Sequence, residues 1–361
     1  MRLYSALFLL CPGLLYAQST PRIKRNVTDA EVMRVHKSAI LIDTHNDITS
    51  RTVTGLDIGQ PSTTTMTDLP RMKLGGMGAQ FFAVYVAASY VEGNHSAKRT
   101  LDMIDTVKHD IIGRYPNDFM FATTAADIRE AHRQHKIAAL MGIEGGHAIE
   151  DDLRLLRIYY NEGVRYMTLT HSNSNHWADS SGDPDKPNNG LSPFGKDVVR
   201  EMNRLGMIVD ISHTSDKTFW DALEISKAPI FASHSSARAI AEVPRNMTDD
   251  MILALAKKGG VIQINFSCGF LNSAQPRATL ADVVKHIDHV ADIAGVDSIG
   301  LGSDFDGIGC APEGLDSVDK WPNLTRALLE EGYSQSDIVK IYGENTMRVM
   351  TQVEKVAASL K

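Results

Sequence analysis

Cysteine is scarce in this chain, with three residues in 361. Cys11 falls in a leader-like first segment, which leaves Cys268 and Cys310. Two cysteines are too few for the disulfide framework that holds small exported domains together, and whether these two pair is left open by the sequence. A chain of this length has to rely on a large buried core instead, and it is long enough to form one. An excess of positive charge is also missing. The formal net charge is −7, which favours solubility and argues against nucleic acid as a partner. No apolar run reaches the ~20 residues that a spanning helix needs. The C-terminal stretch 354–361 lacks the hydrophobic tail of a lipid-anchor signal, so no membrane anchor is expected. Internal repeats and low-complexity segments are absent, and so is a glycine-rich dinucleotide loop after the first apolar segment. That last absence counts against an open doubly wound sheet.

What is present begins with a leader. Arg2 precedes the apolar run Ala6-Leu7-Phe8-Leu9-Leu10, and Leu15-Tyr16-Ala17 closes the segment. This is the pattern of a signal peptide over residues 1–17, cleaved after Ala17. The expected mature chain, residues 18–361, is one domain exported to a periplasm or secreted. Pro12 and Gly13 interrupt the run, which opposes reading it as an anchor.

Short apolar segments then recur at 39–42, 78–84, 137–143, 166–169, 207–211, 229–233, 261–266 and 298–302. They are apolar almost throughout and are separated by helix-length intervals, as in a parallel sheet buried on both faces. Between the last two, Val283, Val284, Ile287, Val290, Ile293 and Ala294 recur at helical spacing before Gly295. Eight such pairs predict an α/β fold of the (β/α)8 TIM-barrel type. The stretch 172–195, rich in Asn, Asp, Ser, Pro and Gly, is expected to be a loop on that barrel.

Barrel enzymes build their catalytic face where the strands end, and chelating side chains gather at those positions here. Asp43-Thr44-His45-Asn46-Asp47 follows the first segment, Glu144-Gly145-Gly146-His147 the third, and Thr170-His171 the fourth. Ser212-His213, Ser233-His234 and Ser303-Asp304-Phe305-Asp306 follow the fifth, sixth and eighth. His45 and Asp47 are two apart, so in extended backbone both point the same way and can hold one cation. A lone His-x-Asp is weak evidence, since a capped loop with a satisfied histidine explains it equally well. Combined with Glu144, His213 and His234 on other strand ends, it points to a metal centre. Glu144, with two oxygens and a place between the two groups, is the candidate bridge. Imidazole and carboxylate without thiolate suit zinc, although ligand type alone also admits manganese, cobalt or iron. His36, His109, His132, His135, His286 and His289 lie in or near helical stretches and are expected to be solvated. The direction of His147 is open.

These motifs, together with Trp177-Ala178-Asp179, Ser235-Ser236-Ala237 and Arg245-Asn246, resemble the membrane (renal) dipeptidase family, and the likeness spans nearly the whole mature chain. The resemblance implies a (β/α)8 barrel with two zinc ions per chain and a dipeptide as substrate, including dipeptides with a C-terminal D residue. It places His45, Asp47 and Glu144 on one ion, and Glu144, His213 and His234 on the other, with a water or hydroxide between them. It makes His171 a contact to the tetrahedral intermediate, Arg245 the anchor of the substrate carboxylate, and Asp304 the acid/base group. On residue type alone, Arg245 reads equally well as a surface salt bridge. A lipid anchor and a covalent dimer are not carried over, which leaves a homodimer open. The stretch Asn265 to Phe270 does not map onto known substrate contacts, so side-chain preference does not follow. A second reading keeps the metal site but assigns a lactam or an N-acyl amino acid as substrate, because barrels of this kind host many hydrolyses.

Overall fold

The structure is a computed structural model that describes residues 22–361, so the expected leader lies outside the described residues. Nine strands form one sheet: β1 (Leu41–Asn46), β2 (Met77–Tyr85), β3 (Phe119–Phe121), β4 (Ile137–Glu144), β5 (Val164–Thr168), β6 (Ile208–Asp210), β7 (Phe231–Ala232), β8 (Val261–Ile264) and β9 (Ile299–Leu301). Eight follow one another in the order β1-β2-β4-β5-β6-β7-β8-β9, and β3 pairs only with β4, off that path. Every pairing is parallel. The sheet closes on itself where the chain beyond β9 meets β1. Asp304 N–H donates to the His45 carbonyl at 3.0 Å, and Asp47 N–H donates to the Phe305 carbonyl at 2.9 Å. All eight expected strands are present, and the architecture is the (β/α)8 barrel. The short β3 is the addition.

Helices cover the outside and apolar side chains fill the inside, so β1 and β4 are buried at every position. This explains why their sequences show no polar alternation. Inside the sheet, Phe81, Tyr166 and Phe231 come from three strands, with neighbouring ring centroids 5.4 and 5.3 Å apart. Gly142 makes room for this layer, because a Cβ there would overlap the Tyr166 ring. The Tyr166 hydroxyl reaches up to His45 Nδ1 at 2.8 Å, so the aromatic layer is also the floor under the strand-end chelators.

Cys268 and Cys310 are joined in a disulfide, which settles the pairing that the sequence left open. Two of the histidines expected to be solvated are buried, His36 and His286. Each can be buried because both ring nitrogens are bonded. His36 contacts Thr325 Oγ1 and the Gly75 carbonyl. His286 accepts from Ala237 N–H at 3.0 Å and donates to the Leu271 carbonyl at 2.9 Å. The helix-surface reading failed there because the helix Leu280–Ala294 carries His286 on the same face as Val283 and Ile287, against the barrel.

Burial pushes the His286 imidazole down to about 4. The folded protein keeps it neutral, whereas the unfolded chain takes a proton near the ordinary value of about 6.5. Its contribution to stability is therefore complete above about pH 6.5 and is lost as pH falls to about 4, amounting to about 3 kcal/mol. His286→Gln, whose amide can keep both hydrogen bonds without titrating, should lose less stability than the wild type between pH 7 and pH 4. Urea unfolding at the two pH values measures the difference, and identical losses would contradict it.

Candidate metal centre

Each chelator stands at or within a few residues of the C-terminal end of a barrel strand: His45 and Asp47 at β1, Glu144 at β4, His171 after β5, His213 after β6, His234 after β7 and Asp304 after β9. Two of them need a left-handed backbone to turn back over the barrel mouth, His213 at φ 66° and Asp304 at φ 64°. Histidine and aspartate are among the side chains that tolerate this region best, and such strain persists only where surrounding contacts enforce it. At His213 those contacts come from the 172–195 loop: Ser181 N–H donates to its carbonyl at 2.7 Å, and the Ser180 hydroxyl lies between the carbonyls of His171 and His213. The loop is itself organised by Asp179, whose carboxylate accepts from the backbone of Asn188 and Gly190. At Asp304, Asn265 Nδ2 donates to Oδ2 at 2.8 Å. Gly307 leaves the carboxylates space, since a Cβ there would lie 2.6 Å from Asp304 Oδ1 and closer still to Asp47 Oδ2.

The donors converge on Glu144. Its Oε2 lies 3.5 Å from His45 Nε2, which is 3.2 Å from Asp47 Oδ2. Its Oε1 lies 2.9 Å from His213 Nε2, 3.4 Å from His234 Nε2 and 3.7 Å from His171 Nε2. One carboxylate oxygen thus faces each ligand group. His45 and His234 stack with centroids 3.8 Å apart, so the two groups adjoin. Donor atoms of His45, Asp47 and Glu144 lie within 4.8 Å of one another, as do those of His45, His234 and Asp304, and those of Glu144, His171 and His213. Sequence reasoning named all of these residues, and the structure brings them together.

Electrostatics fit a cation. His45 Nε2 is buried without a hydrogen-bond partner, and the His213 and His234 Nε2 atoms face each other at 3.0 Å. Burial holds His213 and His234 well below the ordinary imidazole range, with Arg245 adding to the effect. They are therefore neutral, the form that ligates metal. Burial alone would push Glu144 up, but the charge of His45 and the close approach of the His213 and His234 imidazoles outweigh it and hold the carboxyl well below its usual range. Burial also opposes protonation of His45, yet Tyr166, Glu144 and Asp47 pull its imidazole well above the ordinary value. The carboxylates thus draw positive charge to the position where a cation would bind. Asp304 is pushed up to about 7, first by burial and then by Asp47 and Glu144, with His45 opposing.

A cavity of about 500 Å³ opens over this cluster, lined by Asp47, Tyr85, Glu144, His171, Phe270, Asp304 and Gly307 among others. A larger one, about 710 Å³, lies beside the 172–195 loop. It contains none of the chelators, and of its three cations Arg238 and Lys217 are paired with Asp216 and Asp221 while Lys186 donates to the backbone carbonyls of Ser180 and Asp183. The chemistry therefore belongs to the smaller cavity. Arg245 is partly buried, with Nε and Nη2 out of solvent and its guanidinium carbon 5.6 Å from the Phe270 ring centroid. Nη1 donates to Ser235 Oγ at 3.0 Å, while Nε and Nη2 have no partner. This is not the surface salt bridge that residue type alone allowed. His147 is turned aside, with Nε2 on the Val86 carbonyl, and His176 pairs with Asp151 in solvent.

Sequence reasoning did not reach Tyr85 and gave no role to Asn265 or Phe270, which lie in the stretch that the resemblance left unmapped. Tyr85 ends β2 and Asn265 directly follows β8, so both stand at strand ends, where polar groups meet the barrel mouth.

A parallel barrel with buried histidines and carboxylates at its strand ends defines a metal-dependent hydrolase. Residues 29–361 match the family described as membrane dipeptidase, peptidase family M19. An uncharacterized dipeptidase of Schizosaccharomyces pombe is 39% identical over 337 residues, covering 89% of this chain and 82% of that protein. A metallo peptidase from Rhodobacter sphaeroides, solved with a phosphinate mimic of the dipeptide L-Ala-D-Ala, is 28% identical with a TM-score of 0.80, covering 87% of this chain and 99% of that one. A probable dipeptidase from Pseudomonas aeruginosa shares the fold with a TM-score of 0.84 at 24% identity, covering 91% of this chain and 98% of that one. The chain belongs to the membrane dipeptidase family and is a metallo-dipeptidase.

Gly307→Ala should lower activity at least ~100-fold, the scale expected when reacting groups are displaced by about 1 Å, with little change in melting temperature. Kinetics beside a thermal melt test this, and full activity would show that the two carboxylates are not held where the structure has them.

Proposed function

We propose that the centre would hold two zinc ions, one by His45, Asp47 and Glu144 and the other by Glu144, His213 and His234, and that the protein cleaves the peptide bond of a dipeptide. The observation that carries this reading is the division of the Glu144 carboxylate, one oxygen towards each ligand group. When bound, such a pair of ions supplies a water acidified towards neutrality and polarises the scissile carbonyl.

The remaining work falls to side chains of this chain. Asp304, raised towards neutrality and steadied by Asn265, takes a proton from the attacking water and returns it to the leaving amine. His171, one-fifth exposed at the cavity wall, stabilises the oxygen on which negative charge develops. Arg245 receives the terminal carboxylate of the substrate. A buried guanidinium with two unpartnered nitrogens is costly to leave unpaired, and a carboxylate satisfies it in fork geometry. An anchor for the terminal carboxylate disfavours substrates that continue beyond it, so length is read at the C-terminal side. Tolerance of a C-terminal D residue belongs to the same proposal, supported by the L-Ala-D-Ala mimic bound to the Rhodobacter sphaeroides relative.

Export is proposed as well. The Cys268–Cys310 disulfide suits an oxidising compartment, and no helix among the described residues is long and apolar enough to cross a membrane. The expected mature chain is residues 18–361 as one catalytic domain.

Gently purified protein should carry about two zinc ions per chain, measured by elemental analysis, and should split dipeptides while leaving tripeptides nearly untouched. Arg245→Ala should lower kcat/KM for a free dipeptide about 100-fold or more, in line with the loss of a buried charged hydrogen-bonded pair. A C-terminally amidated dipeptide should be turned over at the same slow rate by both forms. Equal losses on the free and amidated substrates would remove Arg245 from carboxylate recognition.

A further inference from the structure

We infer that the buried carboxylate of Asp210 positions His234 through the Ser233 hydroxyl and serves as an outer carboxylate for one metal ion of the pair. This rests on the two-metal reading above. Asp210 ends β6 and is fully buried, as are Ser233 and Thr168. Its Oδ1 accepts the backbone N–H groups of Ser233 at 2.8 Å and Ser212 at 3.1 Å. Its Oδ2 accepts the hydroxyls of Thr168 and of Ser233, the latter at 2.6 Å. Ser233 Oγ also lies 2.7 Å from His234 Nδ1.

Proton counting fixes the direction of this chain. A serine hydroxyl has one proton and a carboxylate only accepts, so the proton of Ser233 points to Asp210. Its oxygen must then accept from His234, which places the imidazole proton on Nδ1. The lone pair is left on Nε2, the atom that faces Glu144 Oε1 and His213 Nε2.

His45 is arranged in the same way but ends differently. Its Nδ1 lies 2.8 Å from the Tyr166 hydroxyl, which donates to the Thr44 carbonyl at 3.0 Å. That relay also frees Nε2, but it stops on a neutral oxygen. The difference matches the charge of the two ligand groups. In the two-metal reading His45 shares its ion with two ligand carboxylates, Asp47 and Glu144, whereas His213 and His234 share theirs with Glu144 alone. Asp210 supplies the second negative charge to that group, one hydroxyl removed. Partners of this kind raise ligand basicity, and their loss weakens metal affinity by about 10–100-fold.

The test is chelator competition on the full chain, reading the two zinc affinities separately, with histidine ¹⁵N NMR of the metal-free protein. Wild-type His234 should carry its proton on Nδ1. In Ser233→Ala, one affinity should fall about 10–100-fold with the other unchanged, and the His234 tautomer preference should be lost. Ser233→Thr should restore both. Asp210→Asn, whose single oxygen is held by the two backbone N–H groups so that Nδ2–H turns to Ser233 Oγ, should reverse the relay, moving the His234 proton to Nε2 and weakening the same ion. Tyr166→Phe should weaken the other ion. Unchanged affinities in folded Ser233→Ala, or equal loss of both ions, would overturn the proposal. Should that variant not fold, an Nε2–H tautomer for His234 in the wild type would do so by itself. A wild type that binds fewer than two ions would reject the two-metal reading instead, and the NMR result would still decide the relay.

Discussion

One buried carboxylate organises the catalytic face. Glu144 lies at the end of a strand buried at every position, where an isolated charge would be too costly to keep. It is held ionised because three imidazoles from three other strand ends converge on it. The same low-dielectric surroundings that make an unpaired charge costly strengthen each of these contacts. The histidines in turn stay neutral or charged according to which oxygen they face. The strand order of the barrel thereby becomes a division of labour between two adjacent ligand groups.

Closure of the barrel and assembly of this centre are the same structural event. The hydrogen bonds that join the chain beyond β9 to β1 involve His45, Asp47, Asp304 and Phe305, and Asp43 accepts Ser303 N–H and the Ser303 hydroxyl just beneath them. The seam of the sheet therefore fixes the separation of Asp47 and Asp304, and Gly307 leaves both carboxylates their space. The left-handed backbone at Asp304 and His213 is sustained by this seam on one side and by the 172–195 loop on the other.

Most of this was legible in the sequence because barrel strands buried on both faces read as uninterrupted apolar segments, and whatever follows them is exposed to the mouth. That rule found every residue whose donor atoms the barrel gathers into a possible metal site. It did not reach Tyr85, and it assigned nothing to Asn265 or to Phe270, because an amide and a phenyl ring are not chelators and their contacts with Asp304 and Arg245 exist only in the fold. The three-residue β3 lacks the length to register as a strand and pairs with only one neighbour. His286 was misjudged because helical position alone does not tell which face meets the barrel, and the pairing of Cys268 with Cys310 depends on two loops brought together only by the fold. Arg245 shows the reverse case: an ambiguous surface cation by residue type, it acquires meaning from two guanidinium nitrogens that are buried beside Phe270 without a partner.

The disulfide separates two kinds of fastening. The chelators are secured by strand hydrogen bonds and buried serine, threonine and tyrosine hydroxyls, whereas the wall of the cavity that carries Ser267 and Phe270 on one loop and Ile308 and Gly309 on the other is stapled covalently between them. The two fastenings still meet at one residue, since Ser267 N–H donates to Asn265 Oδ1 and Asn265 Nδ2 donates to Asp304 Oδ2, so a change near Cys268 or Cys310 that shifts the wall is carried to the Asp304 carboxylate.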